Sequence, residues 1–269
     1  MMSNSPAARP LMSVEALRAA LIVPGGLWQD IRVVAETEST NTDLLADARL
    51  GRAEGSVLAA ENQSAGRGRM GRRWVSPPRS ALMFSALLRP AAVPQARRGW
   101  LPLLTGVAVA RVLRAEGGVD AWLKWPNDVQ VNGAKLAGIL AEQAGDAIVV
   151  GAGINVTTGR DELPADGTTS LALEGAAVTD RDRLLVALLT ELERWYRAWA
   201  AREGDADGCG LRQEYQRRCG TLGRTVRVSL PGGRTLTGAA REVDRAGRLV
   251  IRSPSGLTPV SAGDVVHVR

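Results

Sequence analysis

The sequence predicts an α/β fold of the α+β kind, a mixed sheet with helices packed on one side, followed by a small β-barrel. Three observations predict it. Helix-like and strand-like segments alternate along most of the chain, the helix-like ones are apolar along one stripe, and only short strand-like runs remain after Gly220. At 269 residues the chain exceeds the usual single domain, so one main body with an appendage is expected. The expected divisions are a tail and short helix over 1–30, a main domain over 31–220 and the barrel over 221–269.

Residues 1–10 are polar and proline-containing and predict a disordered tail. Ser13 can cap a helix in which Val14, Leu17 and Leu21 form one stripe, stopped by Pro24-Gly25-Gly26. One short helix before the strand-like Arg32–Glu36 leaves no room for a helix-turn-helix module, which needs two packed helices. Ser39-Thr40 can cap a second helix running through Leu44, Leu45 and Ala48 to Gly51. Ser56–Glu61 reads as a strand, Gly66–Trp74 as a Gly/Arg loop and Ala81–Arg89 as a longer strand. Gln95–Glu116 has helical character with an apolar middle, and Pro102 falls near its first turns or kinks it. Asp120–Trp125, Val129–Val131, Ala134–Glu142 and Ala147–Val156 read as successive strands, with Asn132-Gly133 a hairpin turn. Arg181–Ala201 is amphipathic, with Leu184, Leu185, Leu188, Leu192, Trp195 and Trp199 on its buried side, and Leu211–Arg218 is a short helix after a Gly-rich break. Beyond Gly220, Thr225–Leu230, Thr235–Val243, Leu249–Arg252 and Val265–Val268 are strand-like, separated by PGG, DRAG and SPSG turns. They fit a barrel of about fifty residues.

Hydrophobic content of 45% and charged content of 23% place the chain among globular proteins. With one Phe and two Tyr, its core must be built from Val, Leu, Ala and the seven Trp. A net charge of +6 raises the question of nucleic acid, but the arginines are interspersed with acids, as in Asp180-Arg181-Asp182-Arg183. Only Arg67 to Arg73 is densely basic without acids. An Arg-rich nucleic-acid-binding protein is therefore the rival of a different class, and no specific DNA binding is expected. Cys209 and Cys219 make no CxxC and His267 is the single histidine, so neither a disulfide framework nor a zinc site is readable, and a reducing cytoplasm is expected. No run reaches the ~18 apolar residues of a transmembrane helix, and the N-terminus lacks a signal-peptide pattern, so no membrane partner is expected.

Of thirty-four basic residues only Lys124 and Lys135 are lysines. An ammonium is a compact charge where a guanidinium is a rigid fork, so a lysine kept in an Arg-biased chain points to a need for a small mobile charge; chance survival at a solvated strand end is the plainer alternative. Gly66-Arg67-Gly68-Arg69-Met70-Gly71-Arg72-Arg73-Trp74 alternates glycines, which let backbone approach a ligand, with guanidinium groups that neutralise phosphate oxygens. It matches neither GxxxxGK[ST] nor GxGxxG, and a phosphate cradle and an RG-type nucleic-acid segment both remain open on the motif alone.

Taken with Glu38-Ser39-Thr40-Asn41, Gln63-Ser64-Ala65, Lys124-Trp125-Pro126-Asn127-Asp128, Lys135-Leu136-Ala137-Gly138-Ile139-Leu140 and Gly151-Ala152-Gly153-Ile154-Asn155-Val156, in that order, the loop resembles that of the biotin protein ligases (biotin–acetyl-CoA-carboxylase ligases). The likeness runs from about residue 30 to the C-terminus, whose last fifty residues resemble the family's SH3-like barrel. The first thirty residues differ from bifunctional members, which carry an N-terminal DNA-binding domain, so a monofunctional ligase is expected.

The resemblance implies ATP and Mg²⁺ as co-substrate and metal, biotin as substrate, no tightly bound prosthetic group, and a biotin carboxyl carrier protein domain of acetyl-CoA carboxylase or a related carboxylase as partner. It implies that Arg67 and Arg69 close over biotin and the adenylate and that Lys135 bridges biotin's carboxylate and the α-phosphate. Ser39, Thr40, Asn41, Gln63, Gly68 and Gly138 would bind biotin; Arg69, Arg72, Trp74, Lys124, Asn127 and Asn155 the nucleotide; Asp128 a Mg²⁺ ion. Plainer roles stand beside these: an N-cap for Ser39-Thr40, a core anchor for Trp74, a strand twist point for Gly138 and a turn for Asn155. The nearest rival chemistry is that of lipoate or octanoate ligases and transferases, which also acylate a carrier lysine.

Overall fold

The computed structural model describes residues 9–164, 167–230, 235–261 and 263–268. Seven strands make the main sheet: β1 (Asp30–Val34), β2 (Ser56–Ala60), β3 (Ala81–Leu88), β4 (Trp122–Lys124), β5 (Asp128–Val131), β6 (Ala134–Ala144) and β7 (Ala147–Asn155), in the order β1-β2-β3-β7-β6-β5-β4. Only β1 and β2 pair in parallel; every other neighbouring pair is antiparallel. The Asn132-Gly133 turn joins β5 to β6 with both residues at positive φ, as a two-residue hairpin turn of this type requires.

Five helices accompany the sheets: α1 (Val14–Leu21), α2 (Thr40–Arg49), α3 (Trp100–Ala115), α4 (Arg181–Ala200) and α5 (Leu211–Arg218). Each of α1, α2 and α4 starts where a side-chain oxygen accepts a free amide: Ser13 from Ala16, Ser39 from Thr42 and Asp180 from Arg183. Pro102 sits in the first turn of α3, where its missing N–H costs nothing.

The expected one-sided helical layer holds for α1, α3 and α4, whose Leu17, Leu104, Leu188 and Trp199 share one core with Val57, Phe84, Val150 and Ile154 of the sheet. Burying each such leucine contributes about 2 kcal/mol. The exception is α2, which lies on the opposite face and packs Leu44, Leu45 and Ala48 against Leu58, Leu87 and Val149. Strands β2 and β3 are buried at every position, so they offer apolar side chains to both faces. At ten residues, or ~15 Å, α2 covers only part of its face.

The C-terminal strands β8 (Thr225–Ser229), β9 (Thr235–Val243), β10 (Leu249–Ser253), β11 (Gly256–Val260) and β12 (Asp264–His267) form an antiparallel sheet in the order β11-β10-β9-β8-β12. One strand more is present than the sequence predicts. Pro259 hides β11 from a propensity reading, and the strand tolerates it because it lies at the sheet's edge. The expected PGG turn lies outside the described residues. This sheet joins the main body through Trp125 Nε1–H donating to Gly247 O (3.1 Å), Trp100 Nε1–H to Arg245 O (2.9 Å) and Trp125 N–H to Thr221 Oγ1 (3.1 Å). Arg9 and Pro10, expected in a disordered tail, are held: Arg9 pairs with Glu162, and Pro10 O accepts from Arg181, which itself forms a buried ion pair with Glu61 (2.6 Å).

Candidate active site

Beyond the N-terminal end of α2 the sheet face is open, and the residues it presents there are small or polar. Cross-strand register sets Ser85 of β3 opposite Gly151 of β7, Gly151 opposite Leu140 of β6, and Gly153 opposite Gly138. Gly138, Leu140, Gly151 and Gly153 floor a cavity of about 120 Å³, roofed by the first turn of α2 and the Gly/Arg loop. Glycine is required here by space: a Cβ at Gly151 would stand 2.1 Å from Asn41 Oδ1, and one at Gly153 2.6 Å from the Trp74 ring.

One end of the cavity is a connected polar network. Ser85 Oγ donates to Asn41 Oδ1 (2.6 Å), and Asn41 Nδ2 donates to Leu140 O (3.3 Å) and Glu142 Oε2 (3.1 Å). Thr40 Oγ1 lies 2.7 Å from Ser85 Oγ and also donates to Gln63 Oε1 (3.1 Å). Gln63 Oε1 accepts from Thr40 N–H (2.8 Å). Ser39 is the N-cap, which sets the direction in which Thr40 and Asn41 project.

The loop folds back on itself through Trp74 N–H to Gly66 O (2.8 Å) and Gly68 N–H to Arg72 O (2.7 Å). At its tip Met70 (φ 56°) and Gly71 (φ 74°) adopt left-handed conformations. Arg67 reaches Glu142 (3.0 Å), and Arg69 Nη1–H donates to Asn127 Oδ1 (3.3 Å). Asn127 is fixed in turn by its own amide donating to Ile139 O (3.1 Å). The Trp74 ring lies over Gly138 and Gly153, so it both anchors the loop on the sheet and lines the cavity.

At the other end Lys135 Nζ pairs with Asp128 (2.8 Å), beside Gly138. Its backbone is clamped by Lys135 N–H to Gly167 O (2.7 Å) and Thr169 N–H to Lys135 O (2.9 Å). The cavity thus combines neutral polar groups with charged ones: Thr40, Asn41 and Gln63 line it beside Arg67, which shares Glu142 with Asn41, and Arg69, Arg72 and Lys135, the last paired with Asp128, line it as well.

Twelve of the fifteen sequence-predicted site residues meet in this one cavity: Ser39, Thr40, Asn41, Gln63, Arg67, Gly68, Arg69, Arg72, Trp74, Asn127, Lys135 and Gly138. Asp128 adjoins it through Lys135. Asn155 does not line it; its buried amide donates to Thr169 O (2.9 Å) and so holds the strap that clamps Lys135. Lys124 lines a separate cleft facing the C-terminal sheet. No group of three or more metal-ligating side chains occurs among the described residues. Sequence reasoning missed Ser85, Glu142, Gly151 and Gly153. Ser85 was detectable as the one polar residue of an otherwise apolar strand, ALMFSALL.

A pocket lined by neutral polar side chains and several cations, and flanked by a glycine-arginine loop, defines a site that suits a polar ligand carrying negative charge. The chain belongs to the biotin protein ligases: residues 33–158 match the Biotin/lipoate A/B protein ligase family and residues 221–268 the Biotin protein ligase C terminal domain. It is 44% identical to the biotin–[acetyl-CoA-carboxylase] ligase of Mycobacterium tuberculosis, over 97% of each chain. It is 34% identical to the bifunctional ligase/repressor BirA of Escherichia coli, over 87% of this chain and 73% of that one. Among solved structures, the biotin protein ligase of Aquifex aeolicus in complex with biotin and ATP superposes with a TM-score of 0.75 at 27% identity, covering 90% of this chain and all of that one.

Proposed function

We propose that this chain is an ATP-dependent biotin protein ligase whose reaction takes place between Lys135 and the Gly/Arg loop. The single observation that carries the reading is the convergence of Lys135 with Arg67, Arg69 and Arg72 in one pocket that Thr40, Asn41 and Gln63 also line. The first step brings a carboxylate to an anionic phosphate. A biotin carboxylate oxygen attacks the α-phosphorus of ATP, the Pα–O bond to the β-phosphate breaks, and biotinyl-AMP and pyrophosphate result. Cations aimed at the developing charge offset the repulsion. In the second step a carrier-domain lysine amine attacks the acyl carbon and AMP leaves with the electron pair.

In this reading the ureido end of biotin replaces the internal partners of Thr40, Asn41 and Gln63, and Ser85 orients Asn41. Lys135 sits between carboxylate and α-phosphate, Arg67 and Arg69 exchange Glu142 and Asn127 for ligand oxygens, Arg72 supports them, and Trp74 packs against the nucleotide. Mg²⁺ enters with ATP; Asp128, a lone carboxylate, suits an ion whose other ligands are phosphates and water. Residues 31–220 form the catalytic unit and 221–269 a module that braces Trp125. The protein partner is a biotin-accepting carrier domain of a carboxylase, and the free thiols Cys209 and Cys219 suit the cytoplasm. Incubation with ATP, Mg²⁺ and either biotin or lipoate tests the reading: biotinyl-AMP formed and lipoyl-AMP absent supports it, whereas the reverse assigns the site to lipoate chemistry.

A further inference from the structure

Alternation along β6 assigns its faces: Gly138 stands opposite Gly153 under the Trp74 ring, whereas Ala137 and Ile139 are buried in the main core. Lys135 lies an odd number of residues from Gly138, so an unbroken strand would turn its ammonium into that core beside Ala137. Instead its Nζ stands beside Gly138 and pairs with Asp128. The cause is a β-bulge. Val129 of β5 pairs with Ala137 and the next residue, Gln130, with Lys135, which leaves Leu136 as an extra residue on β6. Leu136 and Ala137 are both fully buried in the core, and the bulge returns Lys135 to the binding face.

A bulge disrupts the ladder around it, and here the backbone of Lys135 finds its partners in another segment. Strand β7 ends at Asn155, and residues 167–169 run parallel to Lys135, engaging both its N–H and its carbonyl. This strap is fastened at two points. Asn155 Nδ2 donates to Thr169 O (2.9 Å), and Asn155 O accepts from Leu171 N–H (3.0 Å). Glu174 accepts from the Thr169 hydroxyl with one carboxylate oxygen (2.6 Å) and from Asn132 Nδ2 with the other (2.9 Å). Asn132 is the tip of the β5–β6 hairpin, so the strap is tied to the end of β7 and to the hairpin, with Lys135 between the two ties. Asn155 and Thr169 are buried, which makes each of these bonds costly to lose.

We infer that Asn155 and Glu174 are positioning residues for the adenylation step: they lock the strap that holds the bulge at Leu136, and the bulge is what presents Lys135 to the cavity. The inference rests on the ligase reading given above. It assigns Asn155 to Lys135 and not to the nucleotide, since the Asn155 amide donates within the strap and the residue does not line the cavity. A one-residue slip of the register would turn Lys135 to the core face, where an unpaired ammonium is excluded by the cost of its desolvation. Loss of one tie therefore widens the range of positions open to the ammonium and leaves the fold in place.

The experiment compares the whole protein with Asn155→Ala, Glu174→Ala and the conservative Glu174→Gln. The chain has two lysines, so protein labelled with ¹³C at the lysine ε-carbon gives two ε-resonances, and that of Lys135 is the one absent from Lys135→Arg. Without any ligand, Asn155→Ala and Glu174→Ala should shift and broaden the Lys135 resonance and leave that of Lys124 in place. Biotinyl-AMP formation should slow about tenfold in both, the scale of one buried hydrogen bond. Transfer from preformed biotinyl-AMP and inhibition by AMP should stay as in the unmodified protein. Glu174→Gln keeps an acceptor for the Thr169 hydroxyl and should return both resonance and rate most of the way. The inference is overturned if the Lys135 resonance is unmoved in the two alanine variants. It is equally overturned if Asn155→Ala weakens inhibition by AMP, which makes Asn155 a nucleotide contact, or if both lysine resonances move together and transfer slows as much as adenylation, which makes the role a general structural one. An unmodified protein that forms no biotinyl-AMP overturns instead the ligase reading, while the lysine resonances still test the strap.

Discussion

The two faces of the seven-stranded sheet are made by the same strands and have opposite characters. On one, Leu82, Phe84, Ala86 and Leu88 of β3 stand opposite Ile154, Ala152, Val150 and Ile148 of β7, all of them buried under α1, α3 and α4. On the other, Met83 and Ser85 stand opposite Gly153 and Gly151, and the cover is a short helix, a loop and an indole ring. Alternation along each strand gives one face to the main core, while the other packs Leu58, Leu87 and Val149 under α2 and is open to the cavity beyond it. Beyond the end of α2, stability and ligand recognition are carried mainly by opposite faces, so substitutions one position apart there should fail in different ways.

The largest effect is expected on the packed face. Trp199→Ala removes a fully buried ring from α4 and should cost ~3–5 kcal/mol of unfolding free energy, read from urea denaturation, while the surviving folded fraction keeps its KM for biotin. On the binding face, Gly153→Val drives a side chain into the Trp74 ring. It should slow adenylation on the order of a hundredfold, the scale of a ~1 Å displacement in the site, with little change in the urea midpoint. A midpoint that falls as far as for Trp199→Ala would break the distinction between the faces. Ser85→Ala deletes the donor to Asn41 Oδ1 and should raise the KM for biotin about tenfold, with the KM for ATP unchanged, because a buried acceptor is left unmet.

The smallest expected effect lies at the junction with the C-terminal sheet and depends on pH. Burial, then Lys124 and Arg224, depress the folded-state pKa of His267 below its value in the unfolded chain, ~6.5. The unfolded chain therefore binds the extra proton first. The stability this site contributes is complete above ~pH 6.5 and is lost as pH falls toward the folded-state pKa. Relative to His267→Gln, the unmodified protein should lose stability between pH 7.5 and 5.5; parallel curves would show that His267 titrates alike in both states.

Most elements were legible because their signals are local. Ser39 and Ser13 mark helix starts, Asn132-Gly133 marks a hairpin, and the leucine stripe of 184–199 marks a buried helix side. What was not legible depends on three-dimensional placement. Nothing in the stripe of Leu44, Leu45 and Ala48 states which sheet face it will cover, and α2 took the one opposite the other helices. Pro259 in an edge strand reads as a break. The KWPND motif suggested that Lys124 and Asn127 act together, but they lie on opposite sides of a turn, and only Asn127 reaches the cavity. Glu142 holds Arg67 and Asn41, partners far from it in sequence that only the fold brings to it.

The central claim is that the compact charge of Lys135, held by Asp128 on the binding face, joins carboxylate to phosphate. The direct measurement is the rate of biotinyl-AMP formation by Lys135→Arg beside its rate of transfer from preformed biotinyl-AMP. A guanidinium is longer and planar and cannot occupy the same point between the two anions. Adenylation should fall on the order of a hundredfold, with transfer and the urea midpoint close to those of the unmodified protein. Adenylation near the unmodified rate in Lys135→Arg, together with its loss in Lys124→Arg, would contradict the account and move the bridging role to the other lysine.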